Sequence, residues 1–170
     1  MMVEITGSLK PKLITEYKNL VKNKVFHKKG GNNSIIFANS HVIKYPTDPC
    51  FYQPKHTKKD FGIGKDLKEN GFHVPEMHTM YLDYEKDNYF LVMSRHKMEE
   101  LRKLDRGGMR IEEEFEEQFK KIQKLGYYTS DLWYGKNCAW DEEAKKILFY
   151  DFELWEGPRL KELEMGAIIK

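Results

Sequence analysis

Apolar positions along the chain recur with two periods, and these mark out its elements. From Lys12 to Lys24 the residues Leu13, Ile14, Tyr17, Leu20 and Val21 fall at helical spacing, which predicts an amphipathic helix. A first strand is expected after it, near Val25 to His27. Ile35-Ile36-Phe37 and His41-Val42-Ile43-Lys44-Tyr45 are short and rich in β-branched and aromatic residues, so they predict strands, the second presenting one lysine. Tyr45 to Pro54 holds three prolines, which excludes a regular element there. A helix is expected from about His56 to Asn70, closed by Gly71 as its C-cap residue. Its interior Gly62 and Gly64 each weaken it by about 1 kcal/mol relative to alanine, so it should be mobile or closely packed. Met77 to Leu82 and Tyr89 to Met93 read as strands joined by the polar turn Glu85-Lys86-Asp87-Asn88. Then follow a short helix, Lys97 to Leu104, a break at Arg106-Gly107-Gly108, and a helix from Ile111 to Leu125 with Phe115, Phe119, Ile122 and Leu125 on one face. The last strand expected is Ile147 to Tyr150.

Composition narrows the class. With 170 residues, 40% hydrophobic and 14% aromatic, the chain supports one compact core rather than two domains of ordinary size. Its formal charge of +2 is nearly balanced, and no basic or acidic tail points to nucleic acid or a membrane surface. No apolar run approaches the ~20 residues of a membrane span, and Met1-Met2-Val3-Glu4 lacks a secretory apolar core. The two cysteines, Cys50 and Cys138, are far apart without metal-like spacing, so a reduced cytoplasm is the expected setting. Cys138, beside Asn137, reads as a small apolar strand residue rather than a nucleophile. The six histidines contain no H-x-x-x-H pair.

Candidate chemistry concentrates near the C-terminus. Thr129-Ser130-Asp131 opens a loop that closes on Asn137, and the strand Ile147 to Tyr150 delivers Asp151-Phe152-Glu153. Upstream, Gly30-Gly31-Asn32-Asn33-Ser34 precedes the lysine strand. Glycine and asparagine tolerate positive φ, so this is a tight turn whose backbone amides could approach an anion closely. Trp133, Tyr134 and Trp140 flank the loop and are read as packing residues.

A lysine strand, a helix, two strands, an aspartate loop, a hairpin and Asp-Phe, in that order, resemble the protein-kinase-like fold. The likeness is strongest to its small atypical branch: RIO-type kinases, aminoglycoside- and lipopolysaccharide-kinase-like proteins, and minimal kinases of bacterial pathogens and phages. It covers about Gly30 to Glu153. It implies an α+β fold, with an antiparallel five-stranded N-lobe carrying one main helix (1–93), a hinge (94–96) and a truncated, mostly helical C-lobe (97–170). It implies ATP and Mg2+ as cofactors. Under it, Gly30, Gly31, Asn32 and Asn33 would cover the phosphates and Lys44 would contact them, supported by an ion pair with Asp60. Met93 would back the adenine pocket, and Ser94, Arg95 and His96 would bond adenine through their backbone. Asp131 would orient the acceptor hydroxyl and take its proton, while Asn137 and Asp151 would hold magnesium.

The sequence also departs from that pattern. Asp60 is a methylene shorter than the usual glutamate, with Glu69 as an alternative at the wrong end of the helix. Thr129 stands where a histidine is usual. Asn137 follows Asp131 by six residues rather than five, Lys136 takes the fifth place, and Gly135 is positioned to absorb the insertion. Glu153 replaces the glycine of Asp-Phe-Gly. Few residues follow Asp151, too few for an ordinary activation loop or a peptide-substrate platform. Three readings stand side by side: a minimal serine/threonine protein kinase, a pseudokinase that engages a regulated partner protein, and a small-molecule kinase.

Overall fold

The computed structural model describes residues 2–7, 15–17, 19–20, 23, 28–29, 33–38, 40–46, 54–83, 88–104 and 111–157. Its strands are β1 (Met2–Gly7), β2 (Lys28–Lys29), β3 (Asn33–Ala38), β4 (His41–Pro46), β5 (Met77–Asp83), β6 (Asn88–Ser94), β7 (Met98–Glu99), β8 (Cys138–Asp141) and β9 (Lys146–Phe149). Its helices are α1 (Pro54–Glu69), α2 (Leu101–Leu104) and α3 (Ile111–Lys124). Residues 15–17 and 19–20 are helical, within the helix expected from Lys12 to Lys24. The strand expected at Val25 to His27, the turn residues Gly30, Gly31 and Asn32, and Cys50 lie outside the described residues.

The N-terminal sheet has six strands in the order β1-β5-β6-β4-β3-β2, not the five expected. The additional strand is β1, where Val3 and Ile5 alternate with Glu4 and Thr6. It adds to the edge of β5, pairing Met2 with Asp83 and Gly7 with Thr79, with a register shift between Glu4 and Thr6.

Strand periodicity then sorts the sheet's two faces, because successive side chains point to opposite sides. Ile36, Ala38, Ile43, Tyr45, Phe90 and Val92 form one apolar cluster together with Tyr17 and Leu20. The alternate residue of β6, Leu91, joins Met80 and Met77 in the other cluster, which contains Phe61, Ile63 and Leu67 of α1. Lys44 lies between Ile43 and Tyr45 and pairs with Leu91, so it shares the α1 side of the sheet.

Helix α1 begins at Pro54, earlier than the expected His56, because a proline at the first helical position gives up an N–H that has no partner there anyway. It closes as foreseen. Gly71 is left-handed (φ 85°), its N–H bonds Lys68 O, and Phe72 N–H bonds Leu67 O, the paired bonds of a Schellman cap. Gly64 shows that the helix is close-packed: a Cβ there would lie 2.4 Å from Met77 Cε. In the C-lobe, the helix expected from Lys97 to Leu104 is only the single turn α2. Met98 and Glu99 instead pair with Asp141 and Trp140 in a three-stranded sheet, β7-β8-β9. The described C-lobe is therefore mixed, and α3 is its one long helix.

α3 buries Ile111, Phe115 and Ile122 and carries Glu112, Glu113 and Glu114 in its first turn and Lys121 and Lys124 in its last, matching the helix dipole. Its apolar face enters the same cluster as α1. That cluster runs on through Leu132, Phe149, Phe152 and Trp155, so one core spans both lobes. Cys138 is buried at the start of β8, and burial pushes its thiol up to about 11, as suits a packing residue rather than a nucleophile.

A second tie between the lobes is polar. Tyr127 Oη donates to Asp66 Oδ2 at 2.6 Å in a buried contact from the end of α3 to α1. Tyr127→Phe removes that donor from a buried carboxylate and should lower stability by about 1–3 kcal/mol. Urea unfolding would read this as a lower midpoint at unchanged slope.

Candidate active site

The α1 side of β4 carries an unusual charge arrangement. Lys44 is buried, and its ammonium lies 2.8 Å from Asp60 Oδ2, 2.5 Å from Asp151 Oδ1 and 3.0 Å from Glu153 Oε2. The three acids come from α1 and from the segment after β9. Asp60 is held from both sides, since its second oxygen accepts the Phe152 N–H at 2.8 Å. Burial pushes the Asp60 carboxyl upward, Lys44 opposes that shift, and Asp151 adds to it. Asp151 adopts φ 67°, a region that aspartate visits more readily than most residues. Asp151 and Glu153 both meet Lys44, while Phe152 between them is fully buried against Trp155, ring centroids 4.9 Å apart. Glu69, the alternative partner, is exposed at the far end of α1.

Three carboxylates against one ammonium leave an excess of negative charge. Carboxylate oxygens of Asp60, Asp151 and Glu153 lie within 4.8 Å of one another, an all-oxygen donor set that suits a hard cation such as Mg2+. Glu153 Oε2 also accepts from Asn33 Nδ2 at 3.1 Å, which brings the start of β3 to the cluster. Asn33 Oδ1 is buried there without a hydrogen-bond partner.

The Asp131 loop stands next to this cluster. Asn137 O accepts the Tyr150 N–H at 3.0 Å, so Asn137 and Asp151 sit one residue apart across the hairpin. Asn137 Nδ2 donates to Asp131 Oδ2 (2.8 Å) and to Asp131 O (3.1 Å), leaving its side-chain Oδ1 as the acceptor a cation needs. Thr129 Oγ1 donates to Asp131 Oδ1 at 2.7 Å, a support that the hydroxyl supplies where a histidine was absent. Gly135 is left-handed (φ 85°) and Asn137 follows it (φ 56°), which accommodates the inserted residue. Lys136 is turned away, its ammonium 4.1 Å from the Trp133 ring centroid. Tyr134 and Trp140 pack against the core, whereas Trp133 is 47% exposed.

Met93 is partly buried against the core. Ser94 belongs to the end of β6 rather than to a free hinge. Its N–H bonds Glu76 O, and Arg95 N–H bonds Ser40 O. The His96 side chain enters a second polar group that sequence spacing did not reveal: His73 Nε2 and His96 Nδ1 lie 2.8 Å and 2.7 Å from Asp141 Oδ2. The two histidines belong to different segments, so no local motif signals the group.

No protein-family model and no curated protein sequence matches the chain. Among solved structures it is similar to monomeric WbdD, at 15% identity and a TM-score of 0.53, covering 81% of this chain and 36% of that one. It is also similar to the bifunctional kinase-methyltransferase WbdD, at 16% identity and a TM-score of 0.46, covering 75% of this chain and 30% of that one. The chain spans about a third of the length of the WbdD chains it matches. The first likeness shows a fold shared with part of monomeric WbdD, and the chain is a mixed α and β protein with antiparallel sheets. No helix among the described residues is long and apolar enough to cross a membrane.

Lys44→Met would leave Asp60, Asp151 and Glu153 without the ammonium they share. Breaking such a buried arrangement should cost about 3–5 kcal/mol near neutral pH. Burial and Asp151 already push the Asp60 carboxyl upward, and the variant loses the Lys44 charge that opposes that shift, so its folded state holds the Asp60 proton more readily than the unfolded chain and stability recovers as pH falls. Urea unfolding at about pH 7.5 and about pH 5 should show the deficit shrinking in acid. An equal deficit at both would show that the carboxylates do not repel one another there.

Proposed function

We propose that the protein is an ATP- and Mg2+-dependent phosphotransferase acting on a hydroxyl, most simply a serine or threonine of a protein. The observation that carries this reading is the convergence of Lys44, Asp60, Asp151 and Glu153, joined through the Asn137–Tyr150 bond to the Asp131 loop. Lys44 would contact the nucleotide phosphates, and Asp151 with Asn137 Oδ1 would hold the magnesium that offsets their charge. Asp131 would accept the proton of the acceptor hydroxyl as its oxygen bonds the γ-phosphorus and the bond to the ADP oxygen breaks. Met93 to His96 would border the adenine, and the turn ending in Asn33 would close over the phosphates.

A second reading, a nucleotide-binding module without transfer, has one observation in its favour. Both Asp131 oxygens already accept hydrogen bonds, from Thr129 and Asn137, so the would-be base has both of its oxygens engaged. A small-molecule acceptor is a further outcome, in keeping with Glu153 standing in place of glycine.

Thermal unfolding with ATP, with and without magnesium, tests the binding. A ligand at a hundred times its Kd adds about 2.7 kcal/mol, seen as a raised midpoint. Asp151→Ala should remove the magnesium-dependent part of the shift, and equal protection of parent and variant would mean that the site is misplaced. Asp131→Asn should keep the nucleotide shift and cut transfer from γ-labelled ATP by about 10² to 10⁴. If parent and variant give the same faint labelling while both bind ATP, the module reading stands and the enzyme reading falls.

A further inference from the structure

We propose that His73, His96 and Asp141 form a binding site for a borderline divalent cation of the zinc type, separate in residues and donor chemistry from the oxygen cluster around Lys44. Three segments distant in sequence supply it: the loop between α1 and β5, the residues after β6, and the last position of β8. His73 Nε2 and His96 Nδ1 both approach one oxygen, Asp141 Oδ2, at 2.8 Å and 2.7 Å. The three donor atoms lie within 4.8 Å of one another, and the rings stand nearly perpendicular, at 89°. A zinc ion bonds nitrogen and oxygen at about 2.0–2.2 Å, so a tetrahedral site needs donors about 3.3 Å apart. The two imidazole–carboxylate contacts are about half an ångström shorter than that spacing, and side-chain movement that widens them, with each ring presenting an unprotonated nitrogen toward Asp141, turns the hydrogen-bonded triad into a ligand set.

The supports that orient metal ligands are already in place. Asp141 Oδ1 accepts the N–H groups of Glu143 (2.9 Å) and Ala144 (3.1 Å), which leaves Oδ2 to face the imidazoles. The other nitrogen of His96 lies 2.7 Å from Ser94 Oγ, which accepts the Glu76 N–H at 2.8 Å. That contact fixes the ring with Nδ1 toward Asp141. The Asp141 side chain is only 2% exposed, whereas those of His73 and His96 are 24% and 19% exposed. A cation held here would therefore have three protein ligands and a solvent-facing fourth position for water. Imidazole nitrogen selects zinc, cobalt, nickel or copper over magnesium. An ion at this point would join the end of β8 to the segment that borders the proposed adenine pocket, and it would stabilise the fold by mass action.

The full chain, stripped with a chelator, would be titrated with Co2+ in excess Mg2+, which occupies oxygen-only sites. One equivalent per chain should give the visible absorption of nitrogen-ligated cobalt, be displaced by Zn2+, and raise the unfolding midpoint. His73→Gln should weaken Co2+ and Zn2+ at least about 100-fold, since loss of an outer supporting residue alone costs ~10–100-fold. Asp151→Ala should leave cobalt binding intact, which keeps this outcome independent of the nucleotide reading. Absence of the absorption in the parent, titration unchanged by His73→Gln, or loss of binding in Asp151→Ala would each overturn the site and leave a hydrogen-bonded triad.

Discussion

The Lys44 ammonium, buried among three carboxylates, is the constraint on which the arrangement of this molecule turns. A charge taken so far from water is tolerable only with close, well-oriented partners. Those partners come from α1 and from the segment after β9, so satisfying one lysine fixes the helix against the sheet and the C-lobe hairpin against both. Asp60 is the hinge pin of that assembly, because its carboxylate bonds Lys44 with one oxygen and the Phe152 backbone with the other. Shortening glutamate to aspartate is compatible with this contact because α1 lies close to the sheet. The Met77 side chain packs directly against Gly64, in keeping with that closeness.

The proposed all-oxygen cation site rests on the same cluster. Acids drawn in to neutralise one lysine exceed its charge, and the surplus favours an added cation. The Asp131 loop is coupled to the cluster by backbone rather than by side-chain charge, through the Asn137–Tyr150 bond and the β8–β9 ladder. Its carboxylate is held by Thr129 and Asn137 within a lobe whose apolar core is continuous with that under α1. Rigid placement of this kind is what a transfer reaction between bound groups requires.

Much of this was legible in the residues. The lysine strand, the Gly71 stop, the apolar face of Ile111 to Leu125 and the hairpin leading to Asp151 are local signals, carried by period and by the φ freedom of single residues. Elements that depend on a partner were missed or misread. The strand at Met2–Gly7 exists because β5 offers an open edge, and Met98–Glu99 is extended because β8 lies beside it. Pro54 read as part of an irregular stretch, although its ring suits the first turn of a helix.

The sequence by itself determined which side chains are available and where the chain turns: one lysine flanked by core residues, an aspartate loop with a glycine able to absorb an insertion, and an Asp-Phe-Glu segment after a strand. These follow from steric and periodic rules that act over a few residues. Only the tertiary structure decided which charges meet. It set Asp60 rather than Glu69 against Lys44, added Glu153 as a third acid, turned Lys136 onto Trp133, and brought His73 and His96 to one oxygen of Asp141. Contacts between distant segments are fixed by register and by packing of the whole core, and neither is written in any local stretch of the chain.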